Sequence, residues 1–142
     1  MFKKLLAVIF MIPVCFIYSC KSDEPEELIN ETEEPAQAVY QKITGEQAKI
    51  MMEENEHYIL LDVRTDDEFK AQRIDGAILI PDYEIEYRAD IDLPDKDALI
   101  LIYCRTGRRS ANVAHELLEM GYTQVYDFGG ITTDWEYDTV SG

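Results

Sequence analysis

The sequence predicts an α/β domain built on a central parallel five-stranded sheet with helices on both faces. Three observations carry that reading. Leu99-Ile100-Leu101-Ile102-Tyr103 is an uninterrupted, branched apolar run, the pattern of a strand with no solvent face. Runs of this kind alternate along the chain with helical patterns, as parallel strands joined by crossover helices require. The run also gives way at once to Cys104 and the loop Arg105-Thr106-Gly107-Arg108-Arg109, before a helical pattern starts at about Ser110. That sets a thiol at the carboxyl end of a central strand, where open α/β sheets bind ligands.

The first 20 residues stand apart from this domain. Lys3 and Lys4 precede an apolar run of fourteen, Leu5 to Tyr18, too short to span a bilayer and suited to a signal peptide. It ends Ile17-Tyr18-Ser19-Cys20, which resembles a bacterial lipobox with Cys20 as the lipidation site. The expectation is a lipid-anchored protein of the cell envelope, periplasmic or surface-facing, with the membrane as a partner through that anchor. Residues 21–38 hold seven acids and two prolines with few large apolar side chains, and read as a flexible acidic linker. The folded domain is expected over 39–142, as a monomer.

Within it, Val39 to Ile43 suggests a short edge strand, and Thr44 with Gln47 a capping box for a helix that turns Ala48, Met51 and Met52 inward. These methionines are core residues, and His57 lies in a polar turn. Tyr58 to Val63 reads as a central strand that brings Asp62 and Arg64 to the same carboxyl edge as Cys104. Thr65 and Glu68 form a second capping box, with Phe69 inward. Ala77 to Ile80 reads as a third buried strand, ended by Pro81. Asp82 to Asp97 is acidic and carries Tyr83, Ile85, Tyr87 and Ile91 on an amphipathic helix that stops before Pro94. After the cysteine loop, Val113, Ala114, Leu117 and Leu118 keep helical spacing up to Gly121, and His115 points away from the loop. Gln124 to Phe128 is the fifth strand, Gly129-Gly130 a turn, and Ile131 to Trp135 a last short helix.

The loop is where chemistry is expected. A thiol becomes a good nucleophile when it ionises, and arginines or a helix N-terminus lower its pKa. Gly107 allows successive amides to curl inward as an anion-binding nest. Residues 39–142 hold 22 acids against 10 bases, yet three of those bases fall within Cys104–Arg109. With Cys15 in the leader and Cys20 acylated, Cys104 is the single free thiol of the mature chain. The overall charge of −16 argues against a nucleic-acid partner. No metal or cofactor is expected.

YCRTGRRS with the following ANVAHELLEMGYTQVYDFGG resembles the active-site half of a single-domain rhodanese, a sulfurtransferase. LLDVRTDDEFKAQRIDGAILIP resembles that family's other signature, with Gln72-Arg73 where Gly-His is usual. The resemblance spans roughly Val39 to Trp135. It implies a Cys104 nucleophile that accepts sulfur as a persulfide. Arg105, Thr106, Gly107, Arg108 and Arg109 would bind a small anionic sulfur donor of the thiosulfate type, and Asp62 and Arg64 would support the site. The acceptor is a thiol or a cyanide-like thiophile. Two alternatives stay open at this point. A module that only carries or presents the persulfide needs the same residues. A cysteine-loop phosphatase or arsenate reductase resembles Cys-x5-Arg, whereas Arg109 here makes the tighter Cys-x4-Arg, with Ser110 one position later.

Overall fold

A computed structural model describes residues 38 and 40–142. The expected signal peptide, the lipidation cysteine Cys20 and nearly all of the acidic linker lie outside the described residues. The elements alternate in chain order: β1 Gln41–Lys42, α1 Gly45–Glu54, β2 Ile59–Asp62, α2 Asp66–Ala71 and β3 Ile78–Leu79. A 3₁₀ turn at Asp82–Glu84 leads into α3 Ile85–Asp92, followed by β4 Leu99–Cys104, α4 Arg108–Glu119 and β5 Gln124–Gly130. All pairings are parallel, and the five strands lie in the order β1-β5-β4-β2-β3. The Cys104 strand is therefore the middle one, as its unbroken apolar run requires.

Alternation along β4 divides the core between the two faces. Ile100, Ile102 and Cys104 point into one cluster with Ile85, Ala89 and Leu93 of the α3 region and Val113, Ala114 and Leu117 of α4. Leu101 and Tyr103 point into the other, with Ala48 of α1, Phe128 and Ile131. Both capping boxes form: the Thr44 hydroxyl accepts from the Gln47 amide at 3.1 Å, and the Thr65 hydroxyl from the Glu68 amide at 3.4 Å. Gly121 closes α4 at φ 92°, a left-handed position that suits glycine.

Several elements depart from the sequence reading. β3 is a two-residue outer strand with Ile78 40 % exposed, because only β2 pairs with it. The inward row of α3 is Ile85, Ala89 and Leu93, so Tyr83, Tyr87 and Ile91, two positions out of phase, stand in solvent. Ile131 to Trp135 is a turn and not a helix; the Thr133 and Asp134 amides both donate to Gly130 O, at 3.2 and 2.8 Å. α4 also starts at Arg108, two residues before the expected Ser110, with Gly107 as its N-cap.

The unusual Gln72-Arg73 pair ties down the chain's last residues. Arg73 and Val140 exchange backbone hydrogen bonds at 2.8 Å each, and Gln72 Nε2 donates to Thr139 Oγ1 at 3.1 Å. The Arg73 guanidinium lies 5.0 Å from the centre of the half-buried Phe69 ring.

Asp62 and Arg64 form a buried ion pair at the end of β2, 0 and 3 % exposed. Arg64 Nη2 donates to Asp62 Oδ2 at 2.6 Å, its Nε to Oδ1 at 2.9 Å, and its backbone amide also to Oδ1 at 2.9 Å. Nη2 further reaches Gln72 O at 2.5 Å, so one guanidinium joins a central strand to the C-terminus of α2. Removing one partner strands a buried charge. Asp62→Ala is expected to destabilise the domain by about 3–5 kcal/mol, read as a fall in Tm of more than about 10 °C.

Candidate active site

The backbone around Cys104 is held by β5. A bulge in the β4–β5 ladder shifts the register between Ile102 and Tyr103, so that Asp127 faces Ile102 and Gly129 faces Tyr103. Gly129 takes φ 95°, and Gly130 lies directly against the loop: a Cβ there would come within 2.5 Å of Arg105 O and of Thr106 Cα. Beyond the bulge, the Ile131 amide donates to Cys104 O at 2.9 Å, and the Thr132 hydroxyl to Arg105 O at 2.7 Å. The two glycines thus serve close approach, and Ile131 and Thr132 hold the loop in place.

Held this way, the loop curls around its own sulfur. Gly107, at φ 94°, is the left-handed residue that turns the chain into α4. Its amide donates to Cys104 Sγ at 3.1 Å. The hydroxyl of the buried Ser110, in the first turn of α4, donates to Gly107 O at 3.1 Å, with Gly129 O also 3.3 Å away. Burial of Cys104 pushes its pKa up, but the Ser110 amide and hydroxyl and the Thr106 and Gly107 amides outweigh that, leaving it below its ordinary value. The nest and the helix N-terminus are therefore the main source of thiol acidity, ahead of the neighbouring guanidinium groups. Cys104 is the free cysteine among the described residues.

An open cavity of about 370 Å³ lies over the sulfur, lined by Glu68, Cys104, Arg105, Thr106, Arg108 and Arg109. The expected loop residues are brought together here, with Gly107 beneath them. Asp62 and Arg64 are absent from the lining, and their mutual bonds account for them as supports of the β2 end. His115 is exposed and stacks on Tyr40 at 4.5 Å, and His57 is exposed as well.

Glu68 is the site residue that sequence reasoning missed. Its carboxylate was accounted for by the capping box, where Oε2 accepts from the Thr65 amide at 3.0 Å. The other oxygen, Oε1, accepts from Arg109 Nη2 at 2.8 Å, across 41 positions of chain. Arg109 is thus paired, and Arg105 and Arg108 are the loop cations without an ion-pair partner among the described residues. The Glu-Phe step after a capping threonine was the available signal, but capping alone explained it. A second cation stands on the far side of the loop. Lys42 Nζ bonds the buried Asp127 at 3.0 Å, where the Tyr40 hydroxyl (2.8 Å) and the Gly129 amide (2.9 Å) also donate. That Tyr40 hydroxyl is pushed up to about 12, by desolvation first and then by Asp127.

Fold and site together define an α/β domain with a thiol of lowered pKa cradled by amides at the carboxyl edge of a parallel sheet. The chain belongs to the rhodanese-like domain family, whose profile matches residues 44–137. It is 40 % identical over 76 residues to the thiosulfate sulfurtransferase PspE of Escherichia coli K12, covering 54 % of this chain and 71 % of that protein. With the thiosulfate sulfurtransferase GlpE of Glaesserella parasuis it shares 32 % identity over 96 residues, 68 % of this chain and 86 % of the relative. Among solved structures it resembles an E. coli rhodanese with anions (TM-score 0.53, 36 % identity, 60 % of this chain and 99 % of that one). It also resembles a rhodanese-like domain protein from Staphylococcus aureus (TM-score 0.62, 28 % identity, 72 % and 98 %).

The Glu68–Arg109 pair has a pH signature. The hydrogen bond from Arg109 holds the Glu68 carboxyl down to about 2, against an unfolded value of about 4.3. A carboxyl depressed in the folded state stabilises above its unfolded pKa, and loses that contribution as pH falls through the folded one. In denaturant titrations the stability gap between wild type and Glu68→Gln is expected to be widest near neutral pH. It should narrow from about pH 4.5 and close near pH 2.

Proposed function

We propose that this protein is a sulfurtransferase that moves sulfane sulfur from thiosulfate-like donors to a thiophilic acceptor through a persulfide on Cys104. The observation that carries the proposal is the cluster of amides converging on Cys104 Sγ, beneath a cavity walled by arginines. The Cys104 thiolate attacks the outer sulfur of thiosulfate. A new S–S bond forms, the bond between the two donor sulfurs breaks, and sulfite leaves with the electron pair. The amides that favour the thiolate then face a persulfide anion of the same charge, so the intermediate keeps their stabilisation. An acceptor thiol or cyanide takes the outer sulfur and restores the thiolate, a two-step covalent cycle.

Arg105 and Arg108 steer the donor dianion to the cavity, while Arg109, neutralised by Glu68, contributes position more than net charge. The thiosulfate sulfurtransferase names of PspE and GlpE support the same donor class, and the E. coli rhodanese solved with anions supports an anion-binding site. The six-residue loop from Cys104 to Arg109 is one residue shorter than a Cys-x5-Arg phosphate cup, which favours sulfur transfer over phosphate-ester chemistry. Cys104→Ser is expected to lower sulfite release from thiosulfate by at least about 10³-fold with the Tm unchanged, because the hydroxyl does not ionise in this range. Substantial turnover by that variant would defeat the mechanism.

We further propose that Cys20 is lipidated and anchors the domain to the cell envelope through the acidic linker. Lys3-Lys4, the apolar run and the Ser19-Cys20 step support this. Cys20→Ala is expected to abolish acyl labelling and to shift the protein out of the detergent-dependent membrane fraction. Unchanged labelling would refute the anchor.

A further inference from the structure

The acidic segment after β3 exposes three large apolar side chains in a line. Tyr83, Tyr87 and Ile91 are 60, 61 and 75 % exposed, the most exposed large hydrophobic residues among those described. They recur every fourth position along the 3₁₀ turn and α3, so they form one stripe on the face opposite the buried Ile85, Ala89 and Leu93. Core packing does not require them. Single exposed apolar residues are ordinary, but an aligned set marks an interaction surface.

The stripe begins beside the carboxyl end of β2, next to the strand that ends in Cys104. The Asp82 amide donates to Val63 O at 3.1 Å, just beyond the end of β2, and the 3₁₀ turn packs on α4. Asp82 adds to the field on Arg109 in the cavity wall. A body lying along the stripe therefore meets the carboxyl edge of the sheet, the edge at which β4 ends in Cys104.

Charge selects the occupant. Asp82–Asp92 carries five acids and one base. That base, Arg88, is taken up by Glu84 and Asp92 at 2.7 Å each, and the neighbouring hollow is lined by Glu86, Glu116, Glu119 and Met120. Such a flank repels an anionic bilayer, a nucleic acid and a second copy of this acidic chain, and it attracts a cationic surface. We propose that Tyr83, Tyr87 and Ile91 dock a basic protein that presents a thiol, flanked by apolar side chains, to Cys104. The inference rests on the sulfurtransferase reading and names the acceptor class: the arginines at the mouth receive the anionic donor, and the acidic, aromatic flank receives the acceptor. In the transfer the acceptor thiolate attacks the outer sulfur of the Cys104 persulfide. The acceptor's S–S bond forms as the bond to Cys104 breaks, and Cys104 leaves as thiolate, so no outside oxidant or reductant is consumed.

The test uses the full chain charged with thiosulfate and three cysteine peptides of equal length, interleaving Lys with Leu, Lys with Ser, or Glu with Leu. The Lys-Leu peptide is expected to take sulfur with kcat/KM about tenfold above the other two, the scale on which a few anchor residues decide binding. The triple variant Tyr83→Ser/Tyr87→Ser/Ile91→Ser should bring it down to the Lys-Ser rate, with turnover to cyanide and the Tm unchanged. Equal rates for the three peptides, or an undiminished rate in the triple variant, would overturn the docking surface. If thiosulfate forms no persulfide at all, the sulfurtransferase reading fails instead. Anisotropy of a labelled Lys-Leu peptide then decides the surface separately: binding lost in the triple variant sustains it, and equal or absent binding to the wild type refutes it.

Discussion

The contact between the β5 bulge and the cysteine loop is what the rest of the site depends on. A thiolate at the end of a buried strand needs donors aimed at it, and the nearest donors are the amides of its own loop. Those amides converge only if the chain folds back within three residues, which Gly107 permits at φ 94°. A loop bent this sharply would fray without support. Gly130 lets β5 lie against it at a distance no side chain allows, while Ile131 and Thr132 take up the Cys104 and Arg105 carbonyls. The nest is thus rigid before any ligand arrives, and that preorganisation is what makes oriented amides effective against developing charge.

Electrostatics in the domain follows one rule at several depths. The chain is strongly acidic, yet three of its salt-bridged cations tie together the site and its supports. Arg64 locks Asp62 to the end of α2, Lys42 joins Asp127 beneath the loop, and Arg109 closes onto Glu68 at its rim. Pairing these cations leaves Arg105 and Arg108 as the positive charge displayed at the mouth. A small cationic mouth on an acidic body is the arrangement that raises the local concentration of small anions.

Much of this was legible in the sequence, because the signals were local. The Leu99–Tyr103 run, the cysteine at its end, Gly107 and the amphipathic α4 lie within some twenty consecutive residues, and both capping boxes are four-residue patterns. What escaped was set by distance along the chain or by position in the sheet. Glu68 meets Arg109 across 41 residues, and its capping role had already explained it. Ala77–Ile80 is apolar enough for a buried strand, but its outer place in the sheet order leaves Ile78 in solvent. The stretch after Gly130 carries a helical composition, yet the two amides that would open a helix converge on Gly130 O in a turn, while its first residues are spent on the cysteine loop. Tyr83, Ile85, Tyr87 and Ile91 read together as one amphipathic helix, and of these only Ile85 enters the core, in a row with Ala89 and Leu93.

The central claim is that the nest makes Cys104 a nucleophile that holds sulfur as a persulfide. Intact-mass analysis of the purified chain after thiosulfate, with peptide mapping of the modified residue, tests it most directly. The expected result is a gain of one sulfur atom on Cys104, removed completely when cyanide is added. No gain in mass, or a gain carried by any other residue, would contradict it.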